Sequence, residues 1–247
     1  MKNNIYKNKV LSVEIIFISV VLFLINPLAS IILVFNALFS KGVKLKSNLI
    51  NLLIIFLALS LSFINMTKVP ENDLQFHAYQ YLFVENRSLF EYLVIIKKEP
   101  IGYIFNFLIY HISNGSIKIW IFVFTFSSYL LFFSALKLFF QKITAPYHLL
   151  VFGLILAAFF PQLFSLSAHL IRQFIASSIF IYFAVDKIFY GNNKWWLAIL
   201  GVLTHGSSLI LYLFIYFKFI GNFKRYMFLN IYKEIIIYLF KYIDRCH

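Results

Sequence analysis

Long apolar runs, separated by short and mostly basic polar segments, dominate this chain. Four of these runs approach or reach the roughly 18–20 residues that a helix needs to cross the hydrocarbon core of a bilayer. They cover residues 48–66, 117–136, 147–164 and 168–188. The pattern therefore predicts several membrane-spanning helices.

Two further apolar segments contain a residue that breaks a helix near the middle. The run over 10–40 is interrupted by Asn26-Pro27, and the run over 195–220 by His205-Gly206. Proline removes a backbone N–H and clashes with the preceding turn, so we predict a hairpin of two short helices that turns at Asn26-Pro27. We predict a second short hairpin over 195–220 that turns at His205-Gly206. The alternative for 10–40 is one long kinked helix. A last apolar piece covers 228–240.

The stretch over residues 67–99 is the most polar part of the chain. We predict an extracytoplasmic loop that contains a helix lying in the membrane interface, because its Phe and Tyr residues favour the headgroup level. The apolar run that follows, 101–112, is too short for an ordinary span. It predicts a re-entrant helix that begins at Pro100.

Composition and charge strengthen the membrane interpretation. Hydrophobic residues make up 62% of the 247 residues and charged residues only 13%, which lies outside the range of soluble domains. The formal net charge is +13, and most basic residues flank apolar runs, as topogenic cytoplasmic charges do. These features exclude a cytosolic enzyme and a disordered chain, and the single Cys246 excludes an intrachain disulfide. We therefore predict an all-α, polytopic membrane protein with one membrane domain over 1–247.

The positive-inside rule orients this domain. It places the lysines that follow the runs 117–136 and 168–188 in the cytoplasm; these are Lys137, Lys142, Lys187 and Lys194. Residues 161–168 and His205 then lie on the outer side. The outer position of 67–99 agrees with this only if 101–112 does not cross the membrane.

Arg172 is the basic residue that topology explains least. It lies just inside the run 168–188, where a central arginine costs about 2.5–3.5 kcal/mol on insertion scales and cannot lose its charge. Snorkelling to the interface is the alternative explanation. His169 and Gln173 flank it, so the sequence predicts a polar, closely packed patch.

Three other residues are candidates for proton transfer. His205 lies at a helix break and is able to act as a base or an acid near neutral pH; the alternative is a hydrogen-bonded packing histidine. Asp73 and Glu99 border the outer loop and are either bases or solvated loop charges. The predicted topology brings all three to the same membrane face as Arg172. Tyr79, Tyr81 and the pair Trp195-Trp196 are most simply aromatic-belt residues.

Several segments together resemble a known family. The chain contains Asp73 followed by Tyr79 and Tyr81, then Glu99-Pro100-Ile101-Gly102-Tyr103, then Ile171-Arg172-Gln173, and finally Thr204-His205-Gly206-Ser207. Over about residues 10–220 this order resembles the EpsG/Wzy-type polysaccharide polymerases of bacterial exopolysaccharide and O-antigen assembly. The Arg-Gln helix and the later His-x-Ser segment are the most specific part.

The resemblance implies a GT-C-like fold of about seven to nine membrane helices, some short or re-entrant, in the bacterial cytoplasmic membrane. It also implies a glycosyltransferase that joins polyprenyl-pyrophosphate-linked oligosaccharides at the outer face, without a cofactor or metal and with other polysaccharide assembly proteins as partners. Arg172, His205, Asp73 and Glu99 would be catalytic. The implied substrate-binding residues are Tyr79, Tyr81, Tyr103, His169, Gln173 and Ser207.

The chain departs from the family at one point, and two alternative functions stay open. Members usually continue for several spans beyond the His-x-Ser segment, so we expect a truncated product. One alternative is a flippase for lipid-linked oligosaccharides, because broken helices point to transporter sites. The other is a non-catalytic membrane subunit of a polysaccharide assembly complex.

Overall fold

A computed structural model describes residues 47–96, 99–145 and 147–216, together with isolated positions between 18 and 33. At one of these positions, the Asn26 side chain accepts a hydrogen bond from the Ala29 N–H at 3.1 Å, as a helix N-cap does. The remainder of the predicted hairpin over 10–40, the apolar piece 228–240 and Cys246 lie outside the described residues.

All regular elements in these described ranges are helical. The α-helices are α1 Ser47–Met66, α2 Asn72–Leu82, α3 Leu89–Ile96, α4 Pro100–Ser113, α5 Ile117–Lys142, α6 Tyr147–Ala158, α7 Pro161–His169, α8 Ile171–Val185, α9 Trp195–Thr204 and α10 Leu209–Tyr216. A π-helical turn, Asp186–Tyr190, extends α8, and a 3₁₀ turn, Gly206–Ser208, precedes α10.

The chain divides into two compact units, Met1–Gly206 and Ser207–His247. The first unit contains α1 to α9, and the second contains α10. The single membrane domain over 1–247 stays a prediction. The packing and the candidate site described below belong to the first unit.

The core of this first unit lies between α1, α5 and α8. Leu57, Phe133 and Phe174 are almost completely buried there. Tyr129 on α5 stacks on Phe133 and meets the Phe174 ring edge-on at a centroid distance of 4.9 Å. Aromatic pairs of this kind stabilise a core beyond the area that they bury, so α5 and α8 are firmly packed.

Within the described residues, two helices are long and apolar enough to cross a membrane, Ile117–Lys142 and Ile171–Tyr190. A third span exists if the bent pair Leu149–Ala158 and Pro161–His169 is counted as one. Ile50–Met66 and Trp195–Thr204 are shorter apolar helices. The described part of the chain is therefore all-helical, and its apolar helices are suited to a lipid bilayer, as predicted. The number of seven to nine membrane helices stays a prediction.

The predicted boundaries around Pro161 are wrong. The run 147–164 is not one helix: α6 ends at Ala158, α7 begins at Pro161, and the two helix axes differ by 50°. Proline fits the first position of a helix but not its interior, because it has no N–H to donate. The next helix begins at Ile171 instead of 168, after a second break at Leu170.

The predicted polar loop 67–99 contains two helices where one was expected. The predicted helix is α2, and α3 was not predicted. The α3 helix begins with a capping box, in which the Ser88 N–H donates to Glu91 Oε2 at 2.8 Å and the Glu91 N–H donates to Ser88 Oγ at 3.3 Å. Such reciprocal bonds satisfy N–H groups that the first helical turn leaves free.

The predicted helix break at His205-Gly206 is confirmed. The α9 helix ends at Thr204, and His205 has an extended backbone. The predicted helix at Pro100 is also confirmed, and it has 14 residues. Whether α4 is re-entrant stays a prediction.

Candidate functional site

Arg172 lies at the second position of α8, directly after the break at Leu170. Its side chain is 14% exposed and reaches partners on two other parts of the chain. Nη1 donates to Glu99 Oε2 at 2.7 Å and to the Tyr103 hydroxyl at 2.9 Å. Nε and Nη2 lie 3.1 Å and 2.8 Å from His77 Nε2. The guanidinium is therefore held on both sides, instead of snorkelling freely towards water.

The contacts of His77 fix its protonation. Nδ1 lies 2.9 Å from Gln80 Oε1, which only accepts, so Nδ1 carries the proton. Nε2 faces the N–H groups of Arg172, which only donate, so Nε2 is unprotonated. Burial of the ring, followed by the positive charge of Arg172, lowers the pKa of His77 below its ordinary value. His77 is thus a neutral acceptor for the guanidinium.

Gln80 and Tyr103 complete a hydrogen-bond network with one consistent arrangement of protons. Gln80 Oε1 also accepts from the Tyr103 hydroxyl at 2.8 Å, which leaves that hydroxyl oxygen free to accept from Arg172. The Tyr92 hydroxyl donates to the Gln80 backbone carbonyl at 3.0 Å. Tyr92 and Tyr103 pack edge-on in a small buried cluster with Val84. This cluster fixes α2 and α3 against α4.

Glu99 has a left-handed backbone, with φ 49° and ψ 58°, immediately before Pro100. This conformation is rare for residues other than glycine and asparagine. It directs the carboxylate between two donors and the His205 imidazole. Oε2 accepts from Arg172, while Oε1 accepts from the Gly206 N–H at 3.1 Å and lies 2.9 Å from His205 Nδ1. The carboxylate therefore joins α8 to the break that follows α9.

His205 is close to Glu99 without being aligned with it. The two groups are within ion-pairing distance, and the imidazole is 21% exposed. However, Nδ1 is a buried atom whose geometry does not satisfy a hydrogen bond to any described group. The Glu99 carboxylate thus makes its directed bonds with Arg172 and Gly206.

The arrangement combines a permanent cation, a carboxylate and a titratable imidazole in a largely buried cluster. An arginine fork matches the oxygens of phosphate groups, and an imidazole beside a carboxylate suits proton transfer. Among the described residues, no group of three or more His, Cys, Asp or Glu side chains is placed to hold a metal ion. The chemistry available from these side chains is anion binding coupled to proton transfer.

The structure brings together four of the residues predicted from the sequence: Arg172, Glu99, His205 and Tyr103. Asp73 lies at the edge of this cluster, where its side chain is 45% exposed and Oδ1 is 3.4 Å from His77 Nε2. Because Nε2 already accepts from Arg172, Asp73 contributes mainly negative charge. The catalytic roles of these residues stay predictions.

The other predicted substrate-binding residues lie elsewhere. Tyr81 is fully buried, bonded to Ser113 and stacked on Trp120, so it lacks the exposure of an aromatic-belt residue. Its role in substrate binding stays a prediction. Tyr79 is exposed and lines an open cavity with Phe83 and Arg87. The three remaining residues are exposed: His169, Gln173 and, in the second unit, Ser207.

His77, Gln80 and Tyr92 were not predicted. A signal for the first two was present, since Asp73, His77 and Gln80 are spaced as neighbours on one helix face. Tyr92 lies on the helix that the sequence reading did not identify. Its burial against α4 is a tertiary contact that carries no short-range signal.

No protein-family model, curated protein or solved structure matches this chain.

Proposed function

We propose that the chain is a multi-pass glycosyltransferase of the bacterial cytoplasmic membrane, with a GT-C-like arrangement of about seven to nine membrane helices. It joins polyprenyl-diphosphate-linked oligosaccharide units into polymer at the outer face. The observation that carries the proposal is the Arg172 guanidinium, which is largely buried at the start of an apolar helix and contacts both Glu99 and a neutral histidine. A largely buried permanent cation in a membrane helix points to an anionic ligand.

The positions of the lysines support the outer location. Arg172 opens α8, whereas Lys187 lies in the π-helical turn that follows it. Lys142 lies over the Tyr190 ring at 5.3 Å, so the C-terminal ends of α5 and α8 lie together. This side carries Lys137, Lys142, Lys187 and Lys194, against the single Lys118 at the opposite end of α5. Positive charge favours the cytoplasm. Twenty helical residues span about 30 Å, so Arg172 is on the opposite side.

The proposed reaction transfers the growing oligosaccharide chain from its lipid carrier to the next lipid-linked unit. A hydroxyl oxygen of the acceptor attacks the anomeric carbon of the donor, and the bond between that carbon and the diphosphate oxygen breaks. His205 takes the hydroxyl proton through Nε2, because Nδ1 faces Glu99. Arg172 stabilises the negative charge on the departing polyprenyl diphosphate.

Replacing Arg172 with lysine in the native strain tests this proposal. A lysine ammonium lacks the planar fork that contacts two groups at once, so we expect single repeat units in place of polymer. The matched control is Arg87→Lys on the outer loop, for which we expect normal chain lengths. Normal chain lengths in an Arg172→Lys strain with wild-type protein levels would refute the proposal.

The same strains separate the alternative functions. Loss of a flippase leaves lipid-linked units facing the cytoplasm, whereas loss of a polymerase leaves them outside as monomers. Purified protein that lengthens lipid-linked units in vitro would distinguish an enzyme from a non-catalytic subunit. Accumulation of cytoplasm-facing units in the Arg172→Lys strain would favour the flippase.

A further inference from the structure

The Glu99 carboxylate occupies a position that suits an anionic ligand. Three groups able to donate converge on its two oxygens: the Arg172 Nη1 at 2.7 Å, the Gly206 N–H at 3.1 Å and His205 Nδ1 at 2.9 Å. A charged side chain, a backbone N–H and an imidazole form the type of donor set that binds phosphate oxygens. The carboxylate is only 18% exposed, so it is held inside this donor set.

The backbone at Glu99 is strained in order to place this carboxylate. A left-handed backbone is unfavourable for a residue other than glycine, and such strain clusters at functional sites. The side chain does not cap α4, which begins at the next residue. The Glu99 carboxylate therefore contacts the donor set and does not cap the free N–H groups at the start of α4.

The guanidinium has two edges with different partners. The edge formed by Nε and Nη2 contacts the neutral His77, and the edge formed by Nη1 contacts Glu99 and Tyr103. The His77 imidazole is only 5% exposed and closes its edge of the guanidinium, whereas the Glu99 carboxylate is 18% exposed and is the partner that an incoming anion reaches first. The Glu99 contact is thus the exchangeable one.

We propose that the Glu99 carboxylate takes the place of a substrate phosphate group in the unliganded protein, and that a diphosphate displaces it from Arg172. This inference rests on the proposed function and deepens it. A diphosphate carries more negative charge than one carboxylate, so its attraction to the guanidinium is greater at the same distance. Arg172 and the Gly206 N–H then bind the diphosphate oxygens.

Displacement also prepares His205 for proton transfer. Among the described residues, His205 Nδ1 has no aligned hydrogen-bond partner, although Glu99 Oε1 is 2.9 Å away. Once released from Arg172, the carboxylate rotates to accept from Nδ1–H and orients the ring with Nε2 towards the acceptor. A carboxylate in this position stabilises the imidazolium that forms when the acceptor proton is transferred. Donor binding would thereby activate the base.

Binding of inorganic diphosphate to the purified full chain in detergent tests the displacement. We expect Glu99→Gln to bind diphosphate at least tenfold more tightly than the wild type by titration calorimetry, because the competing charge is gone. Arg172→Gln should bind at least tenfold more weakly. The matched control is Glu71→Gln, which removes one exposed carboxylate outside the site and should match the wild type. Equal or weaker binding by Glu99→Gln would overturn the inference.

Two further measurements keep the test decisive. Asparagine tolerates a left-handed backbone, so Glu99→Asn replaces Glu99→Gln if that variant fails to fold. The same gain in diphosphate affinity is expected. Histidine ¹⁵N NMR of the wild type, with His205→Gln for assignment, should show Nδ1 entering a hydrogen bond as diphosphate saturates. An unchanged His205 signal at saturation would overturn the realignment of the base.

The outcomes for the two proposals are distinguishable. Tighter diphosphate binding by Glu99→Gln, combined with normal polymer in the Arg172→Lys strain, would retain the anion site and reject glycosyl transfer. Loss of polymer in the Arg172→Lys strain without a gain in binding by Glu99→Gln would retain the proposed function and reject the displacement.

Discussion

The position of Arg172 disfavours protonation of His77 at Nε2. A proton on His77 Nε2 would direct an N–H at the N–H groups of Arg172 and bring two positive charges together in a region where the imidazole is only 5% exposed. The charged groups that face His77 are Arg172, Asp73 and Glu99, and the two carboxylates only partly oppose the effects of burial and Arg172. The folded protein therefore favours neutral His77.

This preference predicts a loss of stability in acid. The pKa of His77 is lowered in the folded state from an ordinary value of 6.5. Below about pH 6.5 the unfolded chain therefore binds more protons than the folded one, and stability falls as pH falls. Thermal unfolding in detergent at a series of pH values should show this decline, and His77→Gln should reduce it.

His111→Gln on α4 is the matched control for the acid series, because His111 is exposed and outside the Arg172 network. It should retain the acid sensitivity of the wild type. A His77→Gln variant as sensitive to acid as the wild type would contradict the assigned role of His77.

Tyr103 offers a second test at the level of a single hydroxyl. Tyr103→Phe removes the group that accepts from Arg172 and donates to Gln80. Loss of a buried hydrogen-bond partner typically costs about 1–2 kcal/mol, so the melting temperature in detergent should fall measurably. Tyr79→Phe is the control, since Tyr79 is exposed and its hydroxyl makes only a long 3.4 Å contact with Gln75. Equal melting temperatures for the two variants would contradict the network.

The sequence identified the site residues whose polar side chains are costly to bury. It did not identify the residues that form hydrogen bonds with them. Arg172 and His205 were identifiable because polar groups within apolar runs need partners. Tyr81 was misassigned because a tyrosine beside a membrane segment has the same sequence signal whether it faces lipid or packs on Trp120. The pairing of Glu99 with Arg172, 73 residues apart, depends on tertiary packing.

At the scale of elements, a buried acidic residue joins the end of α8 to the start of α9. Asp186, in the π-helical turn, is 5% exposed in its side chain, and Oδ2 lies 3.1 Å from Lys194 Nζ. Asn192 also donates to its Oδ1 at 2.7 Å. Lys194 is 41% exposed, so the two partners differ in how easily each returns to water.

This difference predicts that replacing Lys194 destabilises the protein more than replacing Asp186. Lys194→Met leaves the Asp186 charge buried without its counter-ion and should destabilise the protein by up to about 3 kcal/mol. Asp186→Asn should cost less, because the freed lysine is hydrated, and the double mutant should recover much of the loss. Lys187→Met, which removes an exposed bond to Asn193, is the control. Thermal unfolding of the four variants measures the cycle, and a larger loss in Asp186→Asn than in Lys194→Met would contradict it.

The apolar pattern predicted that α1, α5 and α9 exist but not where every helix ends. Hydrophobicity alone merges α6 with the start of α7, because Phe159 and Phe160 continue the apolar run. The chemistry of Pro161 separates them. The break at Leu170 has no comparable signal, since no proline or glycine stands near it, and it is visible only in the backbone.

For the whole molecule, the opposite placement of Arg172 and the lysines predicts a membrane orientation. In a Cys246→Ser background, a cysteine introduced at Glu85 should react with an impermeant maleimide added to intact cells. A cysteine introduced at Gln141, near the C-terminal end of α5, should react only after permeabilisation. Each variant serves as the control for the other, and the reverse pattern of labelling would place the site in the cytoplasm.

The order of the Arg172 partners along the chain matters for how the protein is made. His77, Glu99 and Tyr103 precede Arg172 by 95, 73 and 69 residues, so the ribosome synthesises all three first. When α8 leaves the ribosome, an acceptor for each edge of the guanidinium has already been made. The arginine is therefore able to enter the membrane in the company of its partners, and translation order reduces the cost of inserting a charge that cannot be neutralised.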